Sequence, residues 1–323
     1  MSDARWMAAA VALSQRGRAR TGGNPNVGCV VVKDGHVIGR GWTQAGGRPH
    51  AEAMALAEAG SAAQGATAYV SLEPCAHESA RGPSCADLLV AAGVSRVVIA
   101  LQDPDPRTNG AGVARLTAAG IAVETGVGAK EARAAMAGWL MQQWLGRPFI
   151  TLKLATSLDG CIALANGESR WITGDAARAH GHLERARSNM ILIGRGTYDA
   201  DAPKLDVRVP GLEDRSPARA ILTKGTPPRG WHPLSAPEAV HDLDVQYLLI
   251  EGGAQTAAAF LRADQVDRLL LYRAPILLGA GKASLGDIGI TSLDTAHSRW
   301  QQSDARTLGS DTLAVYERTE KGH

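Results

Sequence analysis

Four side chains in the first third of the chain are of types that together hold and use a metal: His50 and Glu52 in the run His50-Ala51-Glu52, Cys75 after Pro74, and Cys85. Zinc takes imidazole nitrogen and thiolate sulfur in tetrahedral geometry, and a catalytic zinc keeps three protein ligands and leaves the fourth position to water. His50, Cys75 and Cys85 make three. The metal acidifies that water toward neutral pH, so hydroxide becomes available as a nucleophile. Glu52 can stand beside the metal without ligating it and carry a proton from water to a ring nitrogen and then to leaving ammonia. The chemistry expected is hydrolytic deamination of a pyrimidine-type ring. Taken singly, each residue has an ordinary reading: a surface histidine, a first-turn carboxylate, small buried thiols. A structural zinc with His77 as fourth ligand is a second reading, and it leaves Glu52 without a role.

The elements that must position these groups follow from local pattern. Helices are expected over 6–15, 51–59, 84–92, 112–119 and 129–145, and strands over 28–33, 37–42, 68–72, 97–101 and 121–124. Asp34-Gly35 between the first two strands is a strong hairpin signal. His50 then enters one helix, Cys75 follows a strand, and Cys85 opens a helix, whose N-terminal partial charge favours the thiolate. Cys29, within a strand, reads as a core residue. The alternation implies a mixed sheet covered by helices, a three-layer α/β/α domain. Leu145-Gly146-Arg147-Pro148 breaks the pattern and places a boundary near residue 147. Beyond it, strands are expected over 149–155, 190–193, 220–222, 247–250 and 268–272, with helices over 174–186 and 254–261. No G-x-G-x-x-G follows the first of these strands, so a Rossmann site is not indicated. Polar residues and glycines instead collect at strand ends: Ser157 to Gly160, Gly194 to Thr197, and Glu251-Gly252-Gly253 before a helix. Ligands of open α/β sheets bind there, and glycines before a helix let backbone amides approach phosphate.

Composition narrows the class. The chain has 323 residues, enough for about two domains. Hydrophobic residues are 45% and charged residues 20%, with a net charge of +2. That balance gives no electrostatic footprint for nucleic acid or an anionic membrane. Apolar runs fall short of the roughly 18 residues of a spanning helix, and no secretory signal is read at the N-terminus. Four cysteines in a chain of this length and cytoplasmic character point to metal or catalytic use before disulfides.

The order H-A-E, then P-C, then C resembles the cytidine-deaminase-like superfamily. In many of its members the two cysteines are close together, whereas here nine residues separate Cys75 from Cys85. The long insert resembles the bifunctional deaminase/reductase family of riboflavin biosynthesis, though it is one residue longer than usual there. Leu72 to His77 before it, Gly82-Pro83-Ser84-Cys85 closing it, Asn24 to Val30, and Gln102 to Pro106 also resemble that family. The resemblance implies substrate contacts at Asn24, Asn26, His77 and Asp103. Asn-Pro and Asp-Pro also initiate turns, and that reading stays open beside the functional one.

The second half is similar to the reductase half of the same family, a dihydrofolate-reductase-like α/β domain that uses NADPH. The matching runs are Lys153 to Gly160, Ser169 to Thr173, Gly194-x-Gly196-Thr197, Asp201-Ala202-Pro203 with Arg208, and Glu251-Gly252-Gly253. The resemblance implies that Ala155, Trp171, Thr197, Asp201, Thr223, Gly252 and Gly253 meet NADPH. It implies that Ser169, Arg185, Leu205, Arg208 and Glu251 meet the substrate. Guanidinium forks at Arg185 and Arg208 suit phosphate, and surface ion pairs are their ordinary alternative. Two departures stand out. An extra residue interrupts the usual Asp-Asp-Pro, and Thr223-Lys224 stands where the family has Asp-Ser.

The resemblance therefore implies a zinc-dependent deaminase over 1–146 and an NADPH-dependent reductase over 147–323. Together they would convert a phosphorylated diamino-ribosylamino-pyrimidinone in two steps, in the cytoplasm, as a dimer or tetramer. Two other readings are a nucleic-acid base deaminase with an appended domain, disfavoured by the charge, and a non-catalytic regulatory protein stabilised by a four-ligand zinc.

Overall fold

The computed structural model describes residues 2–77 and 82–319. The chain divides into two compact units, Met1–Gly146 and Arg147–His323.

The first unit has a five-stranded sheet in the order β2-β1-β3-β4-β5. Its elements are α1 (Asp3–Ser14), β1 (Gly28–Lys33), β2 (His36–Trp42), α2 (Ala51–Ala59), β3 (Thr67–Val70), α3 (Cys85–Ala91), β4 (Arg96–Ile99), α4 (Ala111–Ala118), β5 (Ala122–Thr125), α5 (Ala129–Ala135) and α6 (Ala137–Leu145). β1 and β2 form the expected hairpin, and Asp34 and Gly35 both take positive φ, 50° and 75°, as a tight two-residue turn requires. β1 also runs antiparallel to β3, whereas β3, β4 and β5 are parallel. The apolar run Cys29-Val30-Val31 is buried throughout, the mark of a strand covered on both faces.

Two glycines show how the layers form. A Cβ on Gly28 would lie 1.9 Å from the Ala10 carbonyl of α1, and one on Gly41 would lie 2.0 Å from the Ala51 carbonyl of α2. Gly41 pairs with Cys29, the neighbour of Gly28, so the two glycines face opposite sides of the sheet. α1 and α2 therefore cover opposite faces, which makes the three layers.

The expected single helix over 129–145 is two helices. Met136, at φ −114° and ψ 24°, leaves helical geometry between α5 and α6. Neither glycine nor proline stands at the break itself, and Gly138 two residues on is helical.

The second unit is built on an eight-stranded sheet in the order β10-β9-β8-β11-β6-β12-β15-β14. Its strands are β6 (Phe149–Thr156), β7 (Cys161–Ala163), β8 (Met190–Gly194), β9 (Ala218–Leu222), β10 (His232–Leu234), β11 (Tyr247–Ile250), β12 (Arg268–Arg273), β13 (Lys282–Ala283), β14 (Trp300–Leu308) and β15 (Asp311–Arg318). The main helices are α7 (Asp175–Ala186), α8 (Arg195–Asp201) and α9 (Ala254–Arg262). β10 through β12 are parallel neighbours, and β15 and β14 close the edge as an antiparallel hairpin. β7 and β13 form a separate small pair. Sequence reading anticipated neither the β14–β15 hairpin nor α8.

Candidate active site

In the first unit, the loop after β3 and two helix starts converge. His50 is the N-cap of α2, which puts its side chain at the helix mouth and Glu52 in the first turn. Cys85 is the first residue of α3, whose N-cap Ser84 accepts from the Asp87 N–H at 3.2 Å. His50 Nδ1 lies 3.2 Å from Cys85 Sγ and 3.6 Å from Cys75 Sγ. The ligand atoms of His50, Cys75 and Cys85 all lie within 4.8 Å of one another, and His77 is not among them. His77 stands half-buried with Nδ1 3.5 Å from Thr108 Oγ1.

The electrostatics divide the two thiols: Cys75 and burial push the Cys85 thiol up. The Cys75 thiol is pushed down to about 4, first by a hydrogen bond from Cys85 and, against burial, by His50. The Cys85 N–H also donates to Cys75 Sγ at 3.3 Å. Glu52 is almost wholly buried, and burial pushes its carboxyl up. A raised carboxyl exchanges protons more readily near neutral pH, as a proton carrier must.

These groups open into a cleft of about 180 Å³. Asn24, His77 and Asp103 line it, together with His50, Glu52 and Cys75. Asn24 also donates to the Thr21 carbonyl at 3.1 Å, so it serves the turn and the cleft at once. Asp103 is pushed up to about 6 by burial. Asn26 is not on this wall. It is fully buried and donates to the carbonyls of Ser14 and Ala135, tying the end of α1 to the end of α5. Asp105, within the 103–106 run that resembles the family, lines it too; sequence reading missed Arg48, Glu73, Arg107, Trp139 and Gln143, which also line the cleft. Trp139 and Gln143 sit four apart on α6, one face of a helix, but no local motif connects that helix to the metal ligands.

In the second unit, the residues singled out from sequence gather at the carboxyl ends of parallel strands. Ala155 is near the end of β6, Thr197 follows β8, Thr223 follows β9, and Glu251-Gly252-Gly253 follow β11. Arg185 donates to both Glu251 oxygens, at 2.7 and 2.9 Å, and to the Asp206 carbonyl at 3.0 Å. Lys153 Nζ stands 3.7 Å from Glu251. Burial pushes the Glu251 carboxyl up, but Lys153 and Arg185 outweigh it and hold it at about 2. Arg185 is thus committed to a buried ion pair, whereas Arg208 is mostly exposed, 3.5 Å from Asp206. Leu205 takes φ +55° with its side chain buried, so a ligand there would meet its backbone. Ser169 and Trp171 are exposed, and the guanidinium of Arg178 stands 4.9 Å from the Trp171 ring. Asp201 pairs with Arg170 at 2.9 Å, linking the end of α8 to the Trp171 loop. Thr223 Oγ1 accepts from the Gly225 N–H at 3.1 Å.

Comparison with known proteins connects the two sites. Residues 1–101 match the cytidine and deoxycytidylate deaminase zinc-binding region, and residues 148–229 and 232–314 match the RibD C-terminal domain. The riboflavin biosynthesis protein RibD of Escherichia coli (strain K12) is 40% identical, over 96% of this chain and 98% of that protein. The chain belongs to the RibD family. Among solved RibD structures, one form from Acinetobacter baumannii superposes with a TM-score of 0.86 at 36% identity, covering 98% of this chain and 99% of that one. A Thermotoga maritima deaminase/reductase superposes with a TM-score of 0.87 at 29% identity, covering 98% of each chain.

Both cofactors of the RibD family find suitable residues. One imidazole and two sulfurs, with Cys75 held toward thiolate, are a zinc donor set that leaves a position open. For NADPH the observation is a close-packed glycine turn. A Cβ on Gly252 would lie 2.6 Å from Thr256 Cβ, and one on Gly194 2.1 Å from Thr256 Oγ1. The ends of β8 and β11 therefore meet at the start of α9, beside Thr197. The first amides of α9 have no partner within the helix and are suited to phosphate. No described helix is long and apolar enough to cross a membrane.

Proposed function

We propose that the chain catalyses two successive steps of riboflavin biosynthesis. The unit 1–146 removes an amino group from 2,5-diamino-6-ribosylamino-4(3H)-pyrimidinone 5′-phosphate. The unit 147–323 then reduces the ribosyl group of the product to ribityl. Zinc, held by His50, Cys75 and Cys85, supplies when bound the positive charge that lets water ionise near neutral pH. Glu52 takes the proton of that water and delivers protons to the ring nitrogen and to the departing amine, so water is consumed and ammonia released. Asn24, His77 and Asp103 orient the ring from the cleft wall. Asn26 acts behind that wall by fixing the loop. In the second unit NADPH supplies the hydride, and Ala155, Trp171, Thr197, Asp201, Thr223, Gly252 and Gly253 hold it. Ser169, Leu205, Arg208, Glu251 and, through Glu251, Arg185 hold the phosphorylated sugar. The substrates are small molecules rather than nucleic acid, which accords with the balanced charge. The proposal includes a cytoplasmic location and a homo-oligomeric state, dimer or tetramer.

The observation that carries the deaminase reading is the convergence of three metal-ligand side chains with a buried carboxylate on the first turn of one of the same helices. The test is Glu52→Gln, with ammonia release and NADPH oxidation assayed separately. Ammonia release should fall by about 10²–10⁴-fold, the usual worth of a general acid–base, and NADPH oxidation on deaminated substrate should persist. Full ammonia release in the variant would reject the role of Glu52.

A further inference from the structure

Glu73 stands two residues before Cys75 and is almost wholly buried at the floor of the cleft. Its carboxylate meets no cationic side chain among the described contacts; it is occupied by backbone amides. Oε2 accepts from the N–H of Asp103 at 3.2 Å and of Gly110 at 3.0 Å, and Oε1 accepts from the N–H of Val113 at 3.1 Å. Its own N–H donates to the Leu101 carbonyl at 2.8 Å. The packing at this junction is equally close. A Cβ on Gly112 would lie 2.1 Å from the Pro74 carbonyl and 3.1 Å from Glu73 Cγ. One carboxylate thus joins the loop that delivers Cys75 to the segment 103–113, and that segment carries Asp103, Asp105 and Arg107 on the cleft wall. Hydrogen bonds from amides to a buried carboxylate are among the stronger ones, and losing the acceptor leaves buried donors unpaired.

We propose that Glu73 is a positioning residue of the deaminase site, fixing the Asp103–Arg107 wall against the metal-ligand loop so that it sets how the ring is bound. The proposal rests on the reading of this cleft as the deaminase site. Glu73 borders the cleft, but its carboxylate oxygens bond to the amides of Asp103, Gly110 and Val113, and it acts through those amides of the wall.

The test compares wild type, Glu73→Gln and Gly112→Ala in the full-length zinc-loaded protein. Glutamine keeps the shape but turns an amide group toward one of the three donors; the alanine methyl forces the same junction apart while keeping the carboxylate. Amide hydrogen exchange should speed up by about tenfold or more over 102–113 in both variants and stay unchanged over 51–59, as expected when a bond of this strength is lost. Zinc content and NADPH oxidation should match wild type, and the KM for deamination should rise by about tenfold with a smaller change in kcat. Unchanged exchange over 102–113, or a loss of activity that follows loss of zinc, would overturn the proposal. The exchange measurement needs no turnover. A wild-type protein that releases no ammonia therefore counts against the deaminase reading, while a variant indistinguishable from wild type counts against Glu73 alone.

Discussion

His50 Nδ1 stands 3.2 Å from Sγ of Cys85, although 35 positions separate the two residues in the chain. Two helix starts bring them together: His50 caps α2, and Cys85 opens α3. Each ligand therefore depends on a helix terminus, and removing either leaves too few donors for tetrahedral zinc. Cys85→Ala and His50→Ala should each lose bound zinc and ammonia release while keeping NADPH oxidation. Metal analysis alongside the two assays checks this; a variant that keeps full zinc occupancy would show that the ligand set is wrong.

In the second unit, the Glu251 carboxyl makes stability depend on pH. Burial raises it, but Lys153 and Arg185 hold it at about 2, below its ordinary 4.5. A carboxyl depressed in the folded state adds stability above its unfolded value, and that gain is lost as pH falls through the folded one. The window runs from 4.5 down to about 2 and corresponds to about 3 kcal/mol. Denaturation of the second unit across that range should show the loss, and Glu251→Gln should flatten it. Equal pH slopes for the two proteins would count against the ion pair.

The glycine turn gives a packing test. Gly252→Ala would place a methyl 2.6 Å from Thr256 Cβ. Overpacking of this kind costs about 1–3 kcal/mol, and here the strain falls on the start of α9. NADPH affinity measured by fluorescence titration should drop by about tenfold, with ammonia release unaffected. Unaltered NADPH affinity would place the cofactor elsewhere.

How much of this was legible in the sequence depends on how local each signal is. The β1–β2 hairpin was visible because Asp34-Gly35 is both the turn and its signature. The ligands were visible because zinc tolerates few donor types, and two of the three, His50 and Cys85, stand at helix starts. The β14–β15 hairpin was not anticipated. β14 is largely exposed and reads Trp-Gln-Gln-Ser-Asp-Ala-Arg-Thr-Leu, with no alternation of apolar and polar residues to mark it. Gly309-Ser310 was the one turn signal available there. α8 likewise buries none of its residues, so no amphipathic period announces it. Glu73 was read as part of a motif without a task, because its partners are backbone amides 30 to 40 positions away. Arg185 was read as a phosphate clamp. Glu251, distant in sequence and adjacent in space, takes up both its Nε and one terminal nitrogen.

The central claim is that a metal held by His50, Cys75 and Cys85 drives the first reaction and has no part in the second. The most direct measurement is ammonia release from the diaminopyrimidine phosphate as zinc is stripped by a chelator and then restored. NADPH oxidation on the deaminated compound would be followed in the same samples. Ammonia release should fall in step with zinc content and return when zinc is added, while NADPH oxidation stays constant. Undiminished ammonia release from zinc-free protein would contradict the account.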